Sequence, residues 1–311
     1  MLLRRAASMA AARVDAQLQA WASALPHEAG AALRANGYYV VDGAVSPALA
    51  QALRDEIASL AAADALYPNA THVYVKDAPR PLLLEKAHIH ETELADMSSD
   101  YASLHRWFDN PTLRTTCNAL LPSLRADRHM IKVQYNDGHG GCFPMHFDTY
   151  GDDGKCLTAV LYLNETWAPG DGGEIVLYPF PYAPTTIAPA SGRLVLFSSH
   201  RMLHRVLPSN VPRYCLTTWM YRDPSLNAAY PPHRTRSNGY DTMLAKVCAS
   251  PFRAHLAKLA YADEWRQSLL ESHAKTQSFA AYLQSYDAEL DVIAAATDKM
   301  LTTFRKKSDD I

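Results

Sequence analysis

Apolar and polar positions divide the chain into a helical, a β-rich and a second helical stretch. Residues 13–35 read as a helix, and 37–42, bulky and partly β-branched, as a short strand entered through Asn36-Gly37. Ser46 can cap free backbone amides and Pro47 suits a first helical turn, so 47–61 is predicted as the next helix. No clear period runs through 64–94. Pro68, Pro79 and Pro81 break that stretch into loop and short extended pieces such as 73–75. Helix returns over 100–121, interrupted at Asn110-Pro111.

Between 129 and 221 the pattern changes to short β-rich runs separated by glycine and proline: 129–136, 157–163, 173–178, 185–188, 193–198, 203–207 and 213–221. That density predicts a sandwich or small barrel. Pro224, Pro231, Pro232 and Asn238-Gly239 mark a linker-like break, beyond which 241–307 is helical again. There Leu290, Ile293, Thr297, Met300 and Phe304 recur on one face, for packing on the barrel or against a protein partner. The predicted organisation is an N-terminal helical segment (1–34), a central domain (35–222), a linker (223–240) and a C-terminal helical extension (241–311).

Composition narrows the function classes. With 48% apolar and 20% charged residues in 311, the chain can build a core and is neither disordered nor fibrous. A net charge of -2 removes the electrostatic reason to expect nucleic acid or an anionic membrane as partner. No apolar run is long enough to span a bilayer. Five cysteines, odd in number and without a Cys-x-x-Cys, indicate neither a disulfide framework nor a thiolate zinc site. A reducing, cytoplasmic setting is expected. Residues 1–13 are basic and resemble a transit peptide, so import into an organelle or the nucleus stays open.

Candidate chemistry lies in the β-rich stretch. In a strand, residues two apart share a face, which would bring His146 and Asp148 together. Alone, a His-x-Asp pair is equally well a satisfied surface strand. His204, opening the run 204–208, is a candidate third ligand. His200 competes with it but falls in the predicted turn 198–201 and is expected to be exposed. Two histidines and a carboxylate, with other positions left open, suit non-haem Fe(II). Arg213 shares a face with Cys215, Thr217 and Trp219, and burying it there requires an anion. An internal Asp or Glu would serve as well as a ligand carboxylate. Tyr162 could add a hydroxyl or be plain core, and Gly172-Gly173 reads as a tight turn into a strand. His88 and His90 form another pair, for which no third ligand suggests itself.

Taken together, Tyr135, His146-x-Asp148, residues 157–164, Trp167, Gly172-Gly173-Glu174, His204-x-Val206-x-Pro208 and Arg213 resemble the Fe(II)- and 2-oxoglutarate-dependent dioxygenases of the prolyl 4-hydroxylase group. Residues 151–167 are most similar to the catalytic domain of hypoxia-inducible-factor prolyl hydroxylases. The resemblance covers about 35–222. It implies an α+β fold with a double-stranded β-helix (jelly roll) core, N-terminal supporting helices and a C-terminal helical extension. It further implies iron on His146, Asp148 and His204, with the 2-oxoglutarate 5-carboxylate on Arg213 and Tyr162. Tyr135, Thr158, Val206, Thr217 and Trp219 would line the pocket. The expected activity is hydroxylation of a prolyl residue in a protein or peptide, consuming O2 and 2-oxoglutarate, with ascorbate keeping the iron reduced. Alternatives are a hydroxylase of a free amino acid or other small molecule, and an inactive jelly-roll interaction protein. Residues 71–93, where the family carries a mobile substrate-covering loop, depart from the sensor enzymes and leave the substrate unassigned. The extension 241–307 is also longer than the helical tail of that group.

Overall fold

The computed structural model describes residues 2–73, 80–96, 100–150, 153–227, 247 and 250–309. The first predicted helix is two helices, α1 (Leu2–Ala24) and α2 (Glu28–Asn36). Pro26 lies between them and has no N–H to continue the helical ladder. Gly37 closes α2 at φ 80°, donating its N–H to the Leu33 carbonyl. Strand β1 (Tyr38–Val41) follows, then α3 (Pro47–Ala62), where the Ser46 side chain accepts from the Leu49 amide as predicted. Helices α4 (Ala102–Asp109) and α5 (Thr112–Leu120) flank the predicted break at Asn110-Pro111.

The stretch predicted as irregular is instead a strand pair, β2 (Tyr67–Val73) and β3 (Leu82–Glu93). Its period is hidden by a bulge. Pro68 pairs with His90 and Ala70 with Glu85, so β3 carries extra residues between two short lengths of regular pairing, and His88 among them has φ 65°. The remaining strands are β4 (Arg128–Asn136), β5 (Gly141–His146), β6 (Lys155–Tyr162), β7 (Ile175–Tyr178), β8 (Thr185–Ile187), β9 (Leu194–Ser198), β10 (Leu203–Ser209) and β11 (Arg213–Tyr221).

These strands form two antiparallel sheets, the larger in order β1-β9-β6-β11-β4-β3-β2 and the smaller β5-β10-β7-β8, which together make a jelly roll. Alternation along each strand sorts side chains between layers. On β6, Leu157, Ala159 and Leu161 face the N-terminal helices, whereas Val160 and Tyr162 face the space between the sheets. Val14, Leu18 and Trp21 of α1, with Leu49, Leu53 and Ile57 of α3, cover the larger sheet. Fully burying each such aliphatic side chain contributes roughly 1.5–3 kcal/mol.

The other outer layer is C-terminal: α6 (Arg253–Ala260), α7 (Ala262–Ser272) and α8 (Gln277–Asp309). Trp265, Leu269, Phe279 and Tyr286 join Met145, Val176, Tyr178 and Leu203 of the smaller sheet, and Phe147 just beyond β5, in one apolar cluster. The Met145 amide donates to Ser268 Oγ at 2.9 Å, tying α7 to β5. Within the predicted stripe, Leu290 packs on this cluster and Ile293 is buried, while the side chains of Met300 and Phe304 lie outside the described residues. Of the predicted linker, 228–240 likewise lies outside them. Among the described residues no helix is long and apolar enough to cross a membrane.

Candidate active site

Strands β5 and β10 run side by side, placing His204 opposite His146 with ring centroids 4.2 Å apart. Asp148 follows just beyond the end of β5. Nε2 of each histidine is 3.7 Å from Asp148 Oδ1, too long for a hydrogen bond and suited to ligands grouped around one ion. On the far side of each ring, Nδ1 faces an atom that can only accept: the Pro144 carbonyl at 2.7 Å for His146 and the Met202 carbonyl at 3.1 Å for His204. Both Nδ1 atoms therefore carry the proton, leaving the inward Nε2 lone pairs free for a metal. Burial, and then the neighbouring His204, lower the His146 pKa and keep its ring neutral. The second carboxylate oxygen of Asp148 accepts from Thr158 Oγ1 at 2.5 Å.

His200 lies outside this cluster. It sits in the turn after β9, as predicted, but is half-buried rather than exposed, in a separate cavity with Arg201, Arg222 and Arg253. Burial, with those three cations, pushes its pKa down to about 4.

Arg213 opens β11 and is 2% exposed. Its Nε donates to the Gly173 carbonyl at 3.0 Å and Nη1 reaches Cys215 Sγ at 3.4 Å. Gly173 makes that approach feasible: a Cβ there would stand 3.0 Å from Arg213 Cδ, at a φ of 77° that suits glycine. No aspartate or glutamate is an ion-pair partner of Arg213 among the described residues, so the internal salt bridge allowed by the sequence is not formed. Its guanidinium lies 5.0 Å from the Tyr162 ring centroid, and the buried Tyr162 hydroxyl has no hydrogen-bond partner. A buried cation without a counter-charge, beside an unpaired hydroxyl, fits a ligand carboxylate.

One cavity of about 340 Å³ is lined by His146, Asp148 and His204 and, deeper, by Arg213. Thr158, Val206, Thr217 and Trp219 also line it, with Thr217 Oγ1 donating to Gln134 Oε1 at 2.9 Å. Tyr135 does not line it. On β4, Lys132 and Gln134 face the cavity, while Tyr135 shares the opposite face with Ile131 and Val133 and packs tilted against Tyr214, ring centroids 5.0 Å apart. The expectation chose the right strand and the wrong side of its pleat, a one-residue difference that reverses every side chain.

The outer wall of the cavity escapes sequence reading. Lys86, 8% exposed, donates to Asn69 Oδ1 at 2.6 Å and Thr71 Oγ1 at 2.7 Å. Glu91 accepts from Asn69 Nδ2 at 2.5 Å and Lys132 Nζ at 2.6 Å. Leu269, His273 and Tyr282 bring the C-terminal helices to the same mouth. The available signal was the pairing of Glu91 and Glu93 with Lys132 across β3 and β4, masked by the bulge upstream.

The profile of the 2OG-Fe(II) oxygenase superfamily matches residues 131–221. The hypoxia-inducible factor prolyl hydroxylase of Caenorhabditis elegans is 31% identical over 161 residues, 46% of this chain and 22% of that protein. Prolyl hydroxylase EGLN3 of Mus musculus is 33% identical over 125 residues, 39% of this chain and 52% of that one. The chain thus spans about a quarter to a half of these curated relatives. A crystal structure of prolyl 4-hydroxylases from Phytophthora capsici superimposes with a TM-score of 0.76 at 30% identity, over 90% of each chain.

Proposed function

Because this chain belongs to the 2OG-Fe(II) oxygenase superfamily and is prolyl hydroxylase-like within it, we propose that it hydroxylates a prolyl residue of a protein or peptide. The observation carrying this reading is the meeting, in one cavity, of a His-Asp-His donor set and a buried arginine with no carboxylate partner. His146, Asp148 and His204 would hold Fe(II); Arg213 and the Tyr162 hydroxyl would hold the distal carboxylate of 2-oxoglutarate. When bound, these groups and O2 supply oxidative decarboxylation to succinate and CO2, coupled to hydroxylation of a C–H bond. The chain's own residues position and shield. Thr158 orients Asp148, and Val160, Ile175 and Phe197 make the inner wall apolar and exclude water. Lys86, Asn69 and Glu91 offer polar groups to a peptide backbone at the mouth. Ascorbate would sustain turnover by keeping the iron reduced. A partner for the C-terminal helices would meet the exposed Phe252 and Val292 rather than Leu290 or Ile293, which packing consumes.

One observation favours a small-molecule substrate instead. Lys86 uses two N–H groups within the described residues and has one left for a free carboxylate. The inactive reading has no such support, because the donor set and Arg213 are intact. Anaerobic Fe(II) with 2-oxoglutarate should give a weak visible charge-transfer band that His204→Ala abolishes. Succinate release should then rise with prolyl peptides. No band and no turnover would overturn the enzymatic reading, and stimulation by small molecules alone would overturn the peptide reading.

A further inference from the structure

The pair His88 and His90 gains in the fold the partners that its sequence neighbourhood lacks. β3 pairs with β4 at Ile89 and Asn136, which sets Asp137 beside His88, and the β4–β5 turn brings His139 back to the same point. The Asp137 amide donates to the His88 carbonyl at 3.1 Å. His88 Nδ1 is 3.1 Å and His139 Nδ1 3.0 Å from the Asp137 carboxylate, and His90 Nε2 stands 3.8 Å from its other oxygen. None of these residues lines the cavity that holds His146 and His204.

Surface hydrogen bonding alone would explain the short contacts, but two features go further. Separations of 3.0–3.1 Å are also close to those between neighbouring ligands of a tetrahedral ion, about 3.3 Å for bonds of about 2.0–2.1 Å. His88 also holds φ 65° at the crest of the β3 bulge, a left-handed conformation that a non-glycine residue adopts at a cost of about 1–2 kcal/mol. Such strain persists where surrounding structure or a ligand maintains it. Burial raises the Asp137 pKa, but hydrogen bonds from His139 and His88 outweigh it and hold the carboxyl below its ordinary value.

We propose that His88, Asp137 and His139 bind a borderline divalent cation such as Zn²⁺ at a surface site separate from the active site, with solvent completing its coordination. Imidazole with a single carboxylate selects that class over Ca²⁺ or Mg²⁺. The ion would clasp the bulge of β3 to the turn that leads into β5, the strand carrying His146. In that turn Gly138 and Gly140, at φ 88° and 86°, leave the backbone intrinsically free.

The test is calorimetric titration of metal-stripped, full-length protein with Zn²⁺ alone. His146→Ala/His204→Ala disables the active-site donors and should retain one equivalent, with a melting temperature that rises with Zn²⁺. Adding Asp137→Asn/His139→Ala to that background should weaken this binding at least about 100-fold, beyond what loss of an outer partner costs. In the otherwise wild-type chain, the same Asp137→Asn/His139→Ala pair should leave the Fe(II)·2-oxoglutarate band in place. If the Asp137 change unfolds the turn, His139→Ala alone serves, because His139 is the most exposed donor at 75%. Absence of any Zn²⁺ equivalent in His146→Ala/His204→Ala, or its persistence after the surface substitutions, overturns the proposal. Neither result depends on turnover, so the prolyl hydroxylase reading is tested separately.

Discussion

Arg213→Met should stabilise the protein in the absence of 2-oxoglutarate and remove its response to 2-oxoglutarate. The wild-type guanidinium is 2% exposed, with a carbonyl and a thiol as hydrogen-bond partners and no carboxylate. Burying a charge without a counter-charge costs several kcal/mol, offset in part by those contacts and by the Tyr162 ring at 5.0 Å. Methionine is also long, flexible and apolar, so the ligand-free protein should gain about 1–3 kcal/mol. Binding moves the other way. Removing one partner of a buried charge-assisted pair costs about 3–5 kcal/mol, which is a 100-fold or greater loss of affinity. A 2-oxoglutarate concentration of 100 Kd stabilises the wild type by about 2.7 kcal/mol, and the same concentration would stabilise the variant by no more than about 0.4 kcal/mol. Anaerobic thermal unfolding with Mn²⁺ in place of iron, with and without 2-oxoglutarate, measures both quantities. A destabilised variant that keeps its 2-oxoglutarate shift would refute the assignment of Arg213 as the anion anchor.

Thr158→Val removes the hydrogen bond that orients Asp148 and should weaken Fe(II) or Mn²⁺ binding about 10–100-fold, measured by titration, with little change in fold. Burial pulls the Lys86 pKa from 10.5 to about 8. Between those values the unfolded chain carries the extra proton, so stability rises with pH. Below pH 8 the full penalty applies, roughly 3 kcal/mol before hydrogen bonds are counted. Lys86→Met should flatten that rise in urea unfolding between pH 7 and 10; an unchanged slope would show that Lys86 is not the group responsible. Phe279→Ala, at a site 2% exposed, should cost about 3–5 kcal/mol and, through Met145 and Phe147 in the same cluster, also lower metal affinity. If metal affinity is unchanged, the C-terminal helices do not brace β5.

Where the hydrophobic period was regular, it was enough. The alternation of Arg213, Cys215, Thr217 and Trp219 against Leu216 and Met220 anticipated which face of β11 lines the cavity. β3 was not legible, because its bulge shifts the period midway and places a left-handed histidine where a strand would alternate. Tyr135 shows the same limit at the scale of one residue. Nothing in a linear pattern says whether it or Gln134 faces inward, and the pairing of Tyr135 with Tyr214 settles that only once both strands are placed. Contacts across great sequence distance were hidden for a different reason. The bond from Met145 to Ser268 and the shared packing of Phe147 with Trp265 join segments that read as separate units.

Charge gives the last step. The chain as a whole carries a formal -2, yet the formally charged side chains lining the cavity are Lys86, Lys132 and Arg213 against Glu91 and Asp148, a surplus of one positive charge. A dicarboxylate entering alone would reverse that surplus next to Asp148, at separations where the low interior dielectric makes like charges expensive. A divalent cation on His146, Asp148 and His204 raises the surplus first, and the dianion then restores the original balance. Metal and 2-oxoglutarate should therefore bind with positive coupling, 2-oxoglutarate weakly to the stripped protein and at least about tenfold more tightly once Mn²⁺ is present, a coupling of 1.4 kcal/mol or more. By reciprocity 2-oxoglutarate should tighten Mn²⁺ by the same factor. Equal 2-oxoglutarate affinity with and without Mn²⁺ would mean that Arg213 alone governs entry and that the donor set does not communicate with it electrostatically.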